Sequence, residues 1–324
     1  MNSTILDDHA KFMERLFNSI NTGVYTLAIF VFCFLVVLIF TARSLFHPMF
    51  SLLFSLIILG YMACNALSVS KFYLQLLKLD TENVFSIIDT AYQVVYVYLT
   101  CTVTCCVFER FFATVYSGSY EFRRNYVALL LAQGIASVIV FLHVHVYHLG
   151  GFVSDITQFA LSCIIVTCLA LLLLFNRRLT LSTRGVRPLT HRYQITENIR
   201  ALRLVAPVVL LDTSVCAVDM LGSVAFDVLP NIDAEIYRRE STYLPAYIVL
   251  RAAAILLQYG IPVVIVRDKC MRKTVLYFIS KLCKISMEEK TAEVRDVLGA
   301  VVPKGASQTD YFNYLQQQWT VGFR

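Results

Sequence analysis

The chain has 324 residues, 58% of them hydrophobic and only 15% charged, with a mean hydropathy of +0.66 and a formal net charge of +6. That is too apolar for a water-soluble protein of ordinary composition, so lipid is the expected solvent for most of it.

Charge-free runs long enough to cross a hydrocarbon core, about 20 residues of helix, give seven candidate spans. The first five, 24–42, 48–70, 90–108, 125–149 and 156–175, contain no Asp, Glu, Lys or Arg. The sixth, 204–226, carries Asp212 and Asp219, and the seventh, 243–266, carries Arg251. Backbone groups in lipid must bond within their own segment or in a closed barrel. A barrel needs polar and apolar residues in alternation, which stretches such as "CLALLLLF" lack, so the spans read as helices. The first run follows Asp7, Asp8 and Glu14 and exceeds the length of a signal-peptide core, so it reads as a retained anchor. The expected fold is an all-α membrane protein, a seven-transmembrane-helix bundle. Residues 1–23 are expected to form an extracellular N-terminal segment, 24–266 the transmembrane domain and 267–324 a cytoplasmic tail.

Basic residues orient the bundle. With the N-terminus outside, the outer segments hold Lys11, Arg15, Lys71, Lys78, Arg238 and Arg239, whereas the inner loops hold eleven arginines and the tail ten further Lys and Arg. The basic side is the cytoplasmic one, so the N-terminus is expected outside. Asn2 begins an Asn-Ser-Thr glycosylation acceptor at that end, a short motif that also arises by chance. Of ten cysteines, eight fall in spans and Cys270 and Cys283 in the tail, so no disulfide is expected in the outer segments.

At the inner end of span three stand Glu109 and Arg110, followed by Arg123 and Arg124. They have two readings: an interfacial pair that fixes the helix in the bilayer, or a cytoplasmic lock in which Arg110 pairs with a carboxylate and is released toward a partner protein when the bundle opens. The segment 176–203 reads as a loop with seven arginines, among them Arg192, Arg200 and Arg203, against one acid, Glu197. Such a loop attracts anionic lipid, docks a cytoplasmic partner, or both. After span seven, "RDKCMRKTVLYFISKLCKI" places Val275, Phe278 and Ile279 at helical spacing among Lys and Arg, which predicts an amphipathic interfacial helix. Cys270 and Cys283 there are palmitoylation candidates or idle thiols.

Three separated motifs carry a family resemblance: Glu109-Arg110 with Ala113-Thr114 and Tyr120-Glu121; "RYQITEN" over 192–198; and "DYFNYLQQQW" over 310–319. In their order across seven spans the chain resembles the nematode serpentine receptor class epsilon (Sre) family of chemoreceptors. The resemblance implies a G-protein-coupled receptor in the plasma membrane of a sensory neuron, with a heterotrimeric G protein and a small chemical ligand as partners. It also implies that Arg110 is the arginine of a helix-three lock, although Phe111 stands where the better-known receptor class has tyrosine. Span seven departs further: "YGIPVVIV" offers Pro262 as a kink without the Asn and Tyr of that class.

A ligand from outside is expected between the outer halves of the spans. Tyr92, Gln93 and Tyr96 on span three are candidate lining, with core packing or an aromatic interface belt as the alternatives. Asp212, Asp219 and Arg251 need partners, because an ionisable group inside a span costs about 2.5–3.5 kcal/mol on insertion scales. Asp219 and Arg251 stand at depths that differ by only about 3 Å at 1.5 Å per residue, which predicts an ion pair, either a lock between helices or a ligand contact. His143, His145 and His148 lack the further ligands a metal needs. No phosphate loop or nucleophile motif occurs, so neither enzyme activity nor a cofactor is expected, and the arginines are assigned to lipid and a protein partner, not nucleic acid. The alternative to a receptor is a seven-span ion channel or transporter, with the intramembrane charges as its path.

Overall fold

In the computed structural model, residues 3–42, 46–77, 79, 82–116, 126–146, 151–182, 189–228, 234–240 and 242–282 are described. They form α1 (Ser3–Thr41), α2 (Pro48–Leu76), α3 (Glu82–Val115), α4 (Tyr126–Phe141), which ends in a π-helical turn (Leu142–Val146), α5 (Gly151–Ser182), α6 (Leu189–Phe226), the short α7 (Ala234–Arg239), α8 (Tyr243–Arg267) and α9 (Lys269–Leu282). Among the described residues there is no strand. Seven helices, α1 to α6 and α8, are long and apolar enough to cross a membrane.

The helices outrun the charge-free runs. α1 contains 39 residues, roughly 58 Å at 1.5 Å per residue, and the residues before the first apolar run are its opening turns. Charged and polar side chains end the lipid-compatible stretch without ending the backbone ladder, since Lys, Arg and Glu are good helix formers. The segment 176–203 is corrected for the same reason. α5 continues to Ser182 and α6 starts at Leu189, so most of that basic stretch is helical extension and not loop. α2 begins where a proline is cheapest, with Pro48 at the first helical position.

α3 is the central helix, packed on α2, α4, α5 and α6, while α1 lies along α2 and α6 lies along α5 and α8. The core is apolar and continuous, with Phe32 and Leu35 of α1, Phe54 and Ile57 of α2, Val205 and Val208 of α6 and Ile261 of α8 buried in one cluster. α2 and α3 come close at Gly60, where a Cβ would lie 2.9 Å from Leu99 Cδ1. Small residues allow such approach in membrane bundles, where packing replaces the hydrophobic drive. The outer surface carries Phe30, Leu130 and Leu256, each more than two-thirds exposed, which suits lipid and not water.

A second cluster closes the end of the bundle that bears the N-terminus. Met13 and Phe17 of α1 pack against Val228, Tyr243 and Tyr247. Asp227, at φ 51°, ends α6 in the left-handed region that Asp tolerates. It turns Val228 back so that its N–H donates to the Gly222 carbonyl at 2.9 Å. At the opposite end α9 folds onto α1 and α8, with Met271 and Val275 buried in the main core and Phe278 meeting Phe34 edge to face. The bundle covers only part of its apolar stripe, since Ile279 is 46% exposed.

Candidate functional site

Two polar regions interrupt the apolar core, one near each end of the bundle. In the half that bears the N-terminus, α1, α2, α3, α5, α6 and α8 surround a cavity of about 310 Å³. Tyr92 and Tyr96, one turn apart on α3, stack at 6.2 Å and line it together with Gln93. Asp219 and Arg251 also face it, and Arg251 Nη1 donates to Asp219 Oδ1 at 2.8 Å. Arg251 Nη2 donates to the Tyr25 hydroxyl at 3.2 Å, so one guanidinium joins α8 to α6 and to α1. The Asp219 side chain is 49% exposed, because the cavity lies beside it, whereas that of Arg251 is 11% exposed. Lys71 and Asp89 pair at 2.6 Å across α2 and α3. Lower in the cavity, Gln258 donates to Asn65 at 2.9 Å, and the Tyr96 hydroxyl meets Cys216 Sγ at 2.5 Å. Asp212 lines the same space seven residues deeper on α6 than Asp219.

The second region lies toward the other end. The Arg110 side chain is only 2% exposed and that of Glu109 only 8%, so the pair is inside the bundle and not turned to the interface. Glu109 accepts from both Nε and Nη2 of Arg110, a forked ion pair between neighbours in sequence. Phe50 of α2 supports the guanidinium from one side, its ring centroid 4.9 Å from Cζ. Beneath Arg110, the Thr114 hydroxyl donates to the Arg110 carbonyl at 2.9 Å and accepts from Asn176 Nδ2 of α5 at 2.9 Å and from Asn198 Nδ2 of α6. One donor and two lone pairs are all in use. Asn198 also reaches the Arg110 carbonyl and Asn176 Oδ1, each at 3.2 Å. Asn176 and Asn198 are 0% and 1% exposed. Three helices therefore meet at one threonine and two asparagines directly under the buried arginine.

The five ligand-lining candidates, Tyr92, Gln93, Tyr96, Asp219 and Arg251, face one cavity, and Glu109 and Arg110 share the second region. Arg200 is half-buried and Arg203 exposed on α6. Arg123, Arg124, Asn2, Cys283, Tyr120, Glu121 and 310–319, and the side chains of Arg192, Cys270, His145 and His148, lie outside the described residues. Among the described residues no cluster of metal-ligating side chains occurs. Reasoning from sequence missed Asn176 and Asn198 as site residues. The signal was present, because Thr114 and Asn198 belong to two of the three motifs and Asn176 stands at the end of a charge-free run.

No curated protein matches this chain in sequence. The sequence profile of the Sre G protein-coupled chemoreceptor family matches residues 1–320. With seven membrane-length helices and a match over essentially its whole length, the chain is a multi-pass membrane protein that belongs to the Sre G protein-coupled chemoreceptor family.

Proposed function

We propose that this protein is a chemosensory receptor of the plasma membrane of a sensory neuron, with its N-terminus outside. A small molecule binds in the cavity that Tyr92, Gln93, Tyr96, Asp219 and Arg251 line, and a heterotrimeric G protein is engaged at the opposite end. One observation carries the reading: the cavity and the Arg110 region occupy opposite halves of the same two helices. Tyr96 and Arg110 on α3, and Asp212 and Asn198 on α6, are each 14 residues apart, about 21 Å at 1.5 Å per residue. Between them lie Leu99, Val103, Val205, Val208 and Val209, all buried and apolar, while the hydroxyls of buried Thr100 and Thr102 donate to carbonyls of their own helix.

That intervening layer favours a receptor over a channel, since a conduction path needs polar or wet lining through the same level. Pro207 interrupts the α6 ladder within it. A proline there leaves the carbonyl four residues earlier, that of Arg203, without its amide donor and lets the helix bend. Ligand binding biases the bend, and the ring of Thr114, Asn176 and Asn198 opens to release Arg110 from Glu109 toward the G protein. The basic helical extensions with Arg192, Arg200 and Arg203, together with Arg123 and Arg124, form the docking face and meet the anionic inner leaflet. α9 lies at that surface, and Cys270 and Cys283 are its lipidation candidates.

Two measurements test the reading. Epitope tags at the two termini, stained on intact cells, are expected to show the N-terminal tag alone, and a C-terminal tag labelled without permeabilisation overturns the orientation. In cells expressing the receptor with a promiscuous G protein, an odorant screen is expected to find responses that vanish when the G protein is blocked. Ligand-evoked current that persists under the block would establish the channel instead.

A further inference from the structure

The cavity has a charge imbalance that says what it takes. Its acidic and basic lining residues are Lys71, Asp89, Asp212, Asp219 and Arg251, three carboxylates against two cations. Four of these are committed to each other. Lys71 pairs with Asp89, and Arg251 is held by both Asp219 and the Tyr25 hydroxyl. Asp212 makes no ion pair among the described residues. It stands deeper on α6 than Asp219, with the aromatic rings of Tyr61 and Tyr96 lining the same space.

We infer that the cavity binds a small organic ammonium ion, whose charge pairs with Asp212 while its carbon frame stacks among Tyr61, Tyr92 and Tyr96. The inference rests on the proposed role of this cavity as the ligand site. A cation restores charge balance where an acid is otherwise taken out of water with the Tyr61 hydroxyl beside it but no counter-charge, a state that costs several kcal/mol. Tyrosine faces add attraction to a desolvated ammonium. An anionic ligand meets the opposite situation, because Asp219 already balances the Arg251 charge and Asp212 repels it, although Arg251 Nε remains a buried donor without a partner. The volume of about 310 Å³ suits a molecule of this kind, at the small end of ligand pockets.

The test uses the purified full chain in lipid nanodiscs, without G protein, and reads thermal unfolding and probe affinity. The probes are phenethylammonium, cyclohexylammonium and trimethylammonium, set against shape-matched neutral alcohols and carboxylates. At least one ammonium probe is expected to raise the unfolding temperature of the wild type while its alcohol and carboxylate counterparts do not. Asp212→Asn should lose about tenfold or more in affinity for it, as expected for removing one partner of a close charge pair. Asp212→Glu, which keeps the charge, should retain most of it. Monodisperse elution and an unchanged unliganded transition identify variants that have folded. Should Asp212→Asn fail that control, a graded loss in Tyr96→Leu supplies the second reading of the same site.

Equal stabilisation by the alcohols, preference for the carboxylates, or undiminished ammonium binding in folded Asp212→Asn each overturns the assignment. So does the absence of stabilisation by all the ammonium probes. In that last case the receptor reading is untouched, since coupling to a G protein is measured separately in cells.

Discussion

The ring of Thr114, Asn176 and Asn198 makes a quantitative prediction about how α3, α5 and α6 are joined. Thr114→Val keeps the side-chain shape and removes the two interhelical bonds that Thr114 accepts, 2.9 Å from Asn176 and the partner bond from Asn198. Asn176 keeps its bond to the Leu172 carbonyl, and Asn198 keeps the Arg110 carbonyl, so neither amide nitrogen is stranded. At about 0.6 kcal/mol for an average interhelical bond in a membrane, the loss is expected to be about 1–2 kcal/mol. Asn198→Leu removes contacts to Arg110, Thr114 and Asn176 together and takes the donor from Asn176 Oδ1. A buried acceptor without its partner adds about 1–3 kcal/mol, and a total of about 3–5 kcal/mol is expected.

Because the Thr114–Asn198 bond is lost in both single variants, the double variant should be less destabilised than the sum, by about 1 kcal/mol. Unfolding by SDS in mixed micelles, run as a double-mutant cycle, measures this coupling. Tyr259→Phe is the control. It removes a bond from α8 to the Val24 carbonyl at 2.6 Å, shares no partner with Asn198, and should add to Asn198→Leu independently. Additivity of Thr114→Val and Asn198→Leu within about 0.3–0.5 kcal/mol would refute a shared network.

Other perturbations address the remaining contacts. Arg251→Ala leaves Asp219 without its cation, but Asp219 is 49% exposed to the cavity, so a modest loss of about 1 kcal/mol and a fall in surface expression are expected. Asp219→Asn combined with Arg251→Gln should restore expression, as read by flow cytometry, and no recovery argues against the pair as a lock between α6 and α8. Gly60→Ala places a methyl 2.9 Å from Leu99 Cδ1 and should lower thermal stability by about 1 kcal/mol, with Leu99→Ala in the same chain relieving the clash. Met271→Asp forces a carboxylate into a site that is 0% exposed, so α9 should detach from the bundle. Faster hydrogen exchange over 269–282 with unchanged exchange in α3 is the expected signature.

The number of membrane-length helices was legible because lipid leaves so little freedom: a run of about 20 uncharged residues has few alternatives to a spanning helix. Helix ends were not, since the end of the hydrocarbon and the end of a hydrogen-bond ladder are separate events. Thus α5 passes through Asn176 and both following arginines to Ser182. The proximity of Asp219 and Arg251 was legible from depth alone, because two opposite charges at one level in lipid seek each other. Asn176 and Asn198 were harder. An asparagine near the end of an apolar run looks like a surface residue until the neighbouring helices are placed, and only the packing of α3 against α5 and α6 shows that both amides point inward.

The two polar regions place opposite demands on α6. Near the cavity it must hold Asp212 and Asp219 at fixed depth against α2, α3 and α8, while 14 residues earlier it must hold Asn198 against Thr114. A straight, fully bonded helix packed in a dense core transmits a displacement at one end as a rigid lever, with every intervening contact resisting. Pro207 changes this, since the missing amide removes one internal bond within the apolar layer that separates the regions. In the proposed mechanism, bending at that level would move Asn198 away from Thr114 and leave the pairing of Asp219 with Arg251 in place. Replacing Pro207 by Ala should therefore stiffen α6 and raise stability while weakening any response that must cross the core. Equal stability together with undiminished G-protein activation would show that the transition is carried by another helix.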